Sequence, residues 1–292
     1  MRLLITGSNG FLGRSFVKAY KNKYDLVTLS RKNADICVDL TKDDVLGELE
    51  TDIVIHAAGK AHSVPKTIEE EKEFYDVNLE GTKRLINSLK GVKSFVFISS
   101  VAVYGLEKGI GIDESSTLNG NTPYAKSKIL AEEMLTDWSK KKNVNLLILR
   151  LPLLASKNPP GNLGDMILAI KNKKYFSINS GKARRSVVLV DDIVDWLPDH
   201  FTSNGIYNLT DGDNPSFYDL EVLISKQLVV RRPFSIPLSV AKIIGIFGDI
   251  LRLSIINSNR INKMTQDLTF SSEKAKDLLS WKPNLVKNNF TI

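Results

Sequence analysis

The chain has a single cysteine in 292 residues, Cys37. An intrachain disulfide and a Cys-rich metal site are therefore excluded, and a reducing, cytoplasmic setting is the expectation. Cys37 lies among apolar residues in "DICVDL" and is expected to be a small buried hydrophobe. Histidine is scarce as well, at three residues. His56 and His62 have no partners spaced for a metal, so none is expected. No uncharged apolar run reaches the ~18 residues that would suggest a membrane span. The nearest, Leu238 to Ile256, is interrupted by Lys242, Asp249 and Arg252. It reads as a packed helix, with a seat on a membrane surface as the alternative. No charged-then-apolar leader opens the chain, since "MRLLITG" starts a strand at once. Dense basic runs are missing too. The net charge is +7, yet the longest run is "KKK" at 140–142. Scattered lysines suit a solvated surface that attracts a small polyanion, and nucleic acid is not an expected partner.

What remains is an ordinary globular composition, 42% hydrophobic and 25% charged. Short apolar runs at Leu3–Thr6, Leu26–Leu29, Ile36–Val38, Ile53–His56, Phe95–Ser99 and Leu146–Leu151 read as strands buried on both faces. Amphipathic helices fit between them, at Phe11–Tyr20, Glu70–Leu89 and Tyr124–Lys141. This alternation predicts an α/β fold, a Rossmann-like doubly wound parallel sheet. Residues 1–153 form its main domain. After Pro152 the loop "ASKNPPGNLG" breaks the pattern. Residues 154–182 and 201–292 are assigned to a smaller, discontinuous substrate lobe, and "SVVLVDDIVDWL", within 183–200, is expected to return to the main sheet.

"ITGSNGFLGRSF" joins the first strand to the first helix. Gly7 suits a tight turn, Gly10 a close approach of backbone to pyrophosphate, and Gly13 helix-on-strand packing. The helix N-terminus then offers N–H groups to phosphate. A second motif, "NTPYAKSK", puts Tyr124 and Lys128 one turn apart on a helix that Thr122 can cap and Pro123 can start. A phenol is a poor base at neutral pH unless a cation such as Lys128 favours its phenolate. Ser99 and Ser100 end a buried strand, at the sheet edge where such folds bind ligands.

With these motifs together, the chain resembles the extended short-chain dehydrogenases/reductases of the NAD-dependent epimerase/dehydratase family. The resemblance covers T-G-x-x-G-x-x-G at Thr6 to Gly13, Ser100 with Tyr-x-x-x-Lys at Tyr124 and Lys128, "HAAG" at 56–59, "VNLEGT" around Asn78, and the ending "KAKDLLSWKP". It implies NAD or NADP, with contacts from Gly7, Asn9, Gly10, Phe11, Leu12, Gly13, Ser30, Arg31, Asp39, Leu40, Ala57, Ala58, Gly59, Asn78, Tyr124, Lys128 and Pro152. It implies Ser100, Tyr124 and Lys128 as the catalytic set and a homodimer through helices near 74–90 and 124–141. Within the family the chain looks most like nucleotide-sugar 4-epimerases and 4-keto reductases. A nucleoside-diphosphate sugar is then the substrate, held by Ser100, Asn162, Leu163, Phe176 and Arg185.

Two departures narrow the reaction. Dehydratases of the family follow the catalytic Ser/Thr with Asp-Glu, whereas Ser100 precedes Val101 and Ala102, so elimination of water is not expected. The second departure is "LSRK" at 29–32. An acid at this strand end would favour NAD, while Ser30 and Arg31 can hold a 2′-phosphate, which favours NADP. Asp35 is expected to begin the next strand. Epimerase and reductase both stay open. So does a non-catalytic NADP-binding sensor of the same fold, although the intact Tyr–Lys pair argues against it.

Overall fold

The structure, a computed structural model, describes residues 1–42, 47–61, 63–250 and 257–292. Seven strands form the central sheet: β1 (Arg2–Thr6), β2 (Asp25–Ser30), β3 (Ile36–Cys37), β4 (Ile53–His56), β5 (Ser94–Ser100), β6 (Asn145–Leu151) and β7 (Gly205–Asn208). All pairings are parallel, and the spatial order is 3-2-1-4-5-6-7. The chain winds outward from β1 through β2 and β3, then restarts at β4 on the other side. The switch point therefore lies between β1 and β4, and a crevice opens beyond their C-terminal ends. Register brings three loops level there, because Thr6 pairs with both Leu29 and His56.

Helices cover both faces, as the unalternating apolar strands require. On one face Leu3 and Ile5 pack with Phe16 and Tyr20 of α1 (Phe11–Tyr20) and with residues of α6 (Val190–Trp196). On the other, Leu4, Val54 and Phe95 meet Leu85 of α3 (Gly81–Ser88) and Leu135 of α4 (Pro123–Lys142). Each such fully buried side chain contributes about 1.5–3 kcal/mol. A separate core around Leu163, Ile170, Leu220 and Ile224 joins α5 (Gly161–Lys171) to α7 (Phe217–Gln227).

The helix expected over 70–89 is present from Ile68 to Ser88, as α2 (Ile68–Tyr75) and α3 joined without a break by a π-helical turn at Asp76–Glu80, with Leu89 already in a short strand. Three expectations are corrected. Val187–Leu189 does not rejoin the main sheet but pairs with Leu153–Ala155. Pro152 has no N–H to continue the ladder, so the chain leaves the sheet there and Val187–Leu189 follows it. What returns to cover the sheet is α6. Gly205–Asn208, in the stretch assigned to the lobe, is edge strand β7. Cys37 is exposed, because β3 is a two-residue strand at the opposite edge. Its thiol points to the Ala34 carbonyl at 3.3 Å.

Candidate active site

The glycine turn leaves β1 with Gly7 at φ +65°. A Cβ on Gly7 would stand 2.6 Å from Cα of Ala58, and one on Gly13 would stand 2.1 Å from the Gly7 carbonyl oxygen. Both positions thus exclude any side chain, and the backbone forms a bare cradle. No side chain caps α1 after Gly10, so its first N–H groups face the crevice as an anion site would require.

Asn9 braces this turn against the next loop. Its amide donates to the carbonyls of Lys32 and of Asn33, the latter at 3.2 Å. "LSRK" is therefore clipped to the glycine turn, with Ser30 half-buried at the end of β2 and Arg31 exposed. Asp35 falls just short of β3 and does not face the crevice freely. Its carboxylate accepts from Thr28 Oγ1 at 2.7 Å and Thr28 N at 2.9 Å, bonds that hold it below the usual carboxylate range. Asp39 is held low in the same way, by the backbone N–H and hydroxyl of Thr41, with Arg31 adding its charge. Leu40 packs beneath, and its carbonyl accepts from Arg84 at 2.9 Å.

On the other side of the crevice, Thr122 caps α4 by accepting from Ala125 N at 3.2 Å, with Pro123 in the first turn. This is the arrangement "NTPYAKSK" predicts, and it sets Tyr124 in the first turn facing the end of β5. Ser100, the last residue of β5, accepts from Ala102 N at 3.2 Å and stands near enough to the Tyr124 phenol to favour its ionised form. Burial raises the Tyr124 pKa, and the nearby Ser100 hydroxyl offsets only part of this. The expected lowering by Lys128 is not found, because the ammonium is directed elsewhere. It donates to the Ile98 carbonyl at 2.8 Å and lies 4.5 Å from the centre of the Phe97 ring. Burial pulls Lys128 down to about 8, with Glu132 opposing. Gly59 is the close neighbour on the crevice side, where a Cβ would stand 3.4 Å from Lys128 Nζ and 3.1 Å from Asn78 Oδ1.

Buried polar groups lock these parts together. Asn78 sits on the π-helical turn and spends its whole amide: Oδ1 accepts from Lys60 N at 2.7 Å, while Nδ2 donates to the Lys60 carbonyl and to Ser127 Oγ. The π turn is what re-aims Asn78 inward. His56 bridges Thr6 Oγ1 at 2.6 Å and Thr82 Oγ1 at 2.8 Å, and Thr82 itself donates to the Asn78 carbonyl. Nε2 of His56 therefore carries the proton and Nδ1 accepts from Thr6. Burial first, and then the charge of Lys128, push this imidazole down to about 3, so it is neutral and structural. His62 lies outside the described residues.

One buried network matches none of the sequence motifs. Arg150, buried in β6, forks onto the Glu132 carboxylate at 2.6 Å and donates to Tyr104 Oη at 3.1 Å. Glu132 also accepts from Ser99, and Tyr104 donates to Asn208. A charge inside the apolar run "LLILRL" demands a buried acid. Glu132, one turn beyond Lys128 on the same face of α4, was the available signal.

The substrate-side residues are placed unevenly. Asn162 is exposed in the first turn of α5, which Pro160 opens with no side-chain cap, while the Leu163 side chain is buried in the lobe core. Pro152 is half-buried at the exit of β6, and Phe176 is exposed. Arg185 is not presented as a free fork. Its guanidinium donates to the carbonyls of Arg184, Lys263 and Gln266 and stacks over Phe217 at 5.2 Å. Among the described residues no cluster of three metal-binding side chains occurs.

Residues 3–209 match the model of the NAD dependent epimerase/dehydratase family. The chain belongs to that family. A relative from Escherichia coli O157:H7, an N-acetyl-alpha-D-glucosaminyl-diphospho-ditrans,octacis-undecaprenol 4-epimerase, is 24% identical over 93% of this chain and 88% of its own. A UDP-glucose 4-epimerase of Vibrio cholerae is 26% identical over 96% and 90%. A GDP-6-deoxy-D-mannose reductase of Pseudomonas aeruginosa is 26% identical over 77% and 79%. Among solved structures, RMD from Pseudomonas aeruginosa complexed with NADPH superposes with a TM-score of 0.72, at 23% identity, over 99% of this chain and 96% of that one.

Proposed function

We propose that this family member transfers hydride reversibly at a ring carbon of a sugar diphosphate, using NAD or NADP. The observation that carries the reading is the convergence of Ser100, Tyr124 and Lys128 with the bare glycine cradle and Gly59 at one switch-point crevice. The cradle fits a dinucleotide, since Gly7 and Gly13 leave room for backbone alone and α1 presents uncapped N–H groups. The cofactor, when bound, supplies or takes the hydride.

The protein's own groups do the rest. Tyr124, kept protonated by burial, is ready to give its proton to a carbonyl oxygen and to retrieve it in the reverse direction. Ser100 bonds the same oxygen and fixes its place between the two hydroxyl groups. Lys128 keeps a positive charge below pH ~8 beside Gly59, where it would hold the ribose of a bound cofactor. The first turn of α5, with Asn162 and the backbone of Leu163, offers N–H groups to a diphosphate. The relatives' named substrates share that group, one on a nucleoside and one on a polyprenol. Helices α2, α3 and α4 supply the contact of a homodimer, which light scattering tests.

Most of the reading is common to two outcomes. An epimerase oxidises and re-reduces one carbon and keeps its cofactor, and the named 4-epimerases support it. A reductase is favoured by one local observation. Asp35 is turned onto Thr28, so Ser30 and Arg31 are what β2 offers the adenosine ribose. Purification without added nucleotide separates the two. Retained NAD supports the epimerase; an empty protein that binds NADPH far better than NADH supports the reductase. Binding of neither cofactor refutes the whole reading.

A further inference from the structure

Helix α8 (Leu238–Ile250) is inside out. Its buried stripe is Ala241, Gly245 and Gly248, set four and three residues apart on one face. That stripe packs on α9 (Ser258–Thr265) so closely that a Cβ on Gly245 would come 2.6 Å from Ile261 Cδ1. The large side chains face outward. Ile243 and Ile246 are each 55% exposed and Phe247 is 61% exposed, whereas Ala241 is 3% exposed. Val240, Ile243, Ile244 and Phe247 share the i, i+3, i+4, i+7 spacing of a single apolar stripe. A helix in a water-soluble surface normally carries the reverse pattern. Phe234, just before the helix, is exposed as well.

Charge identifies what covers this stripe. Residues 229–263 contain six Lys or Arg (Arg231, Arg232, Lys242, Arg252, Arg260 and Lys263) and one acid, Asp249. That segment alone carries +5 of the chain's net +7. Asp249 Oδ1 accepts from Ser258 N at 3.2 Å, while Arg232 and Lys263 pair with Glu221 and Glu107 elsewhere in the fold. Arg231 and Lys242 are exposed, and Lys242 sits on the polar flank of the helix, beside the stripe. An apolar face bordered by cations is complementary to an anionic bilayer. Among the described residues no helix is long and apolar enough to cross a membrane.

We propose that α8 lies in the surface of an anionic phospholipid bilayer, with Val240, Ile243, Ile244, Ile246 and Phe247 in the acyl boundary and Arg231 and Lys242 at the headgroups. The surface then holds the enzyme where lipid-borne molecules are presented. The proposal does not depend on the site chemistry above, and its test does not measure activity.

The test is flotation of the full chain with vesicles of phosphatidylcholine and phosphatidylserine in roughly a 2:1 ratio, and with phosphatidylcholine alone. Expected is flotation with the anionic vesicles at low salt, weakened at high salt. The pair Ile246→Ser and Phe247→Ser should lower partitioning by more than about 100-fold. Lys242→Gln should lower it about fivefold. Thermal melting and cofactor binding of each variant confirm that the fold is retained. Failure of the wild-type chain to float, or equal flotation of the double variant, overturns the proposal. So does a wild-type dimer that the double variant turns into a monomer while neither floats, because a second copy would then cover the stripe.

Discussion

Helices α4 and α8 break the usual rule for surface helices in opposite directions. α4 buries polar groups, namely Ser127, Lys128, Glu132 and Ser139. α8 buries alanine and glycine and exposes isoleucine and phenylalanine. In α4 each buried group has a named partner, so desolvation is offset by hydrogen bonds and charge. In α8 the large apolar side chains stay largely open to solvent, with Phe247 61% exposed. A buried polar face points to chemistry inside the molecule, and an exposed apolar face points to something outside it.

The largest effect should come from α4. Glu132→Ala leaves the Arg150 guanidinium buried without its carboxylate and should cost about 3–5 kcal/mol of stability in a denaturant melt. Survival of wild-type stability would mean that the network is ornamental. Ser100→Ala removes one donor to the reacting oxygen and should lower kcat about 10²–10³-fold, with cofactor affinity nearly unchanged. The Lys128 ammonium titrates at about 8, so turnover that needs its charge should decline as pH rises through that value. The folded pKa lies below that of a free lysine. Folding therefore disfavours the protonated form, and the decline marks a loss of function, not of a stabilising charge. A flat pH profile to pH 10 would break this assignment. Arg31→Ala should weaken NADPH about tenfold and spare NADH in a fluorescence titration. Smallest of all, Phe247→Ser on α8 should change stability by no more than ~0.5 kcal/mol, since that ring is 61% exposed.

The same contrast explains what was legible in the sequence. Strands buried on both faces announce themselves as apolar runs, and the glycine turn and Tyr-x-x-x-Lys spacing are set by local backbone geometry. Those elements, and the Thr122 cap, stand where the sequence places them. Tertiary choices were less legible. The π turn that aims Asn78 depends on packing between α2, α3 and α4, and it leaves no mark on helical periodicity. Val187–Leu189 reads as a sheet strand from composition, yet its partner was decided by Pro152. Cys37 reads as buried because its neighbours are apolar, but a two-residue edge strand has no layer to cover it. Arg185 reads as a phosphate fork, and the structure surrounds it with carbonyls. The apolar segment from 238 reads as a packed helix, and the structure packs it by its small residues; the reading's last stretch, 251–256, lies outside the described residues.

The most direct test of the central claim is proton NMR of the wild-type chain and Tyr124→Phe with a panel of nucleoside- and polyprenyl-diphosphate sugars and their 4-keto forms, in the presence of NAD, NADH or NADPH. Inversion or reduction at one ring carbon by the wild-type chain, falling about 10²–10⁴-fold in Tyr124→Phe while cofactor binding persists, is the predicted result. Substantial turnover by Tyr124→Phe would contradict the account.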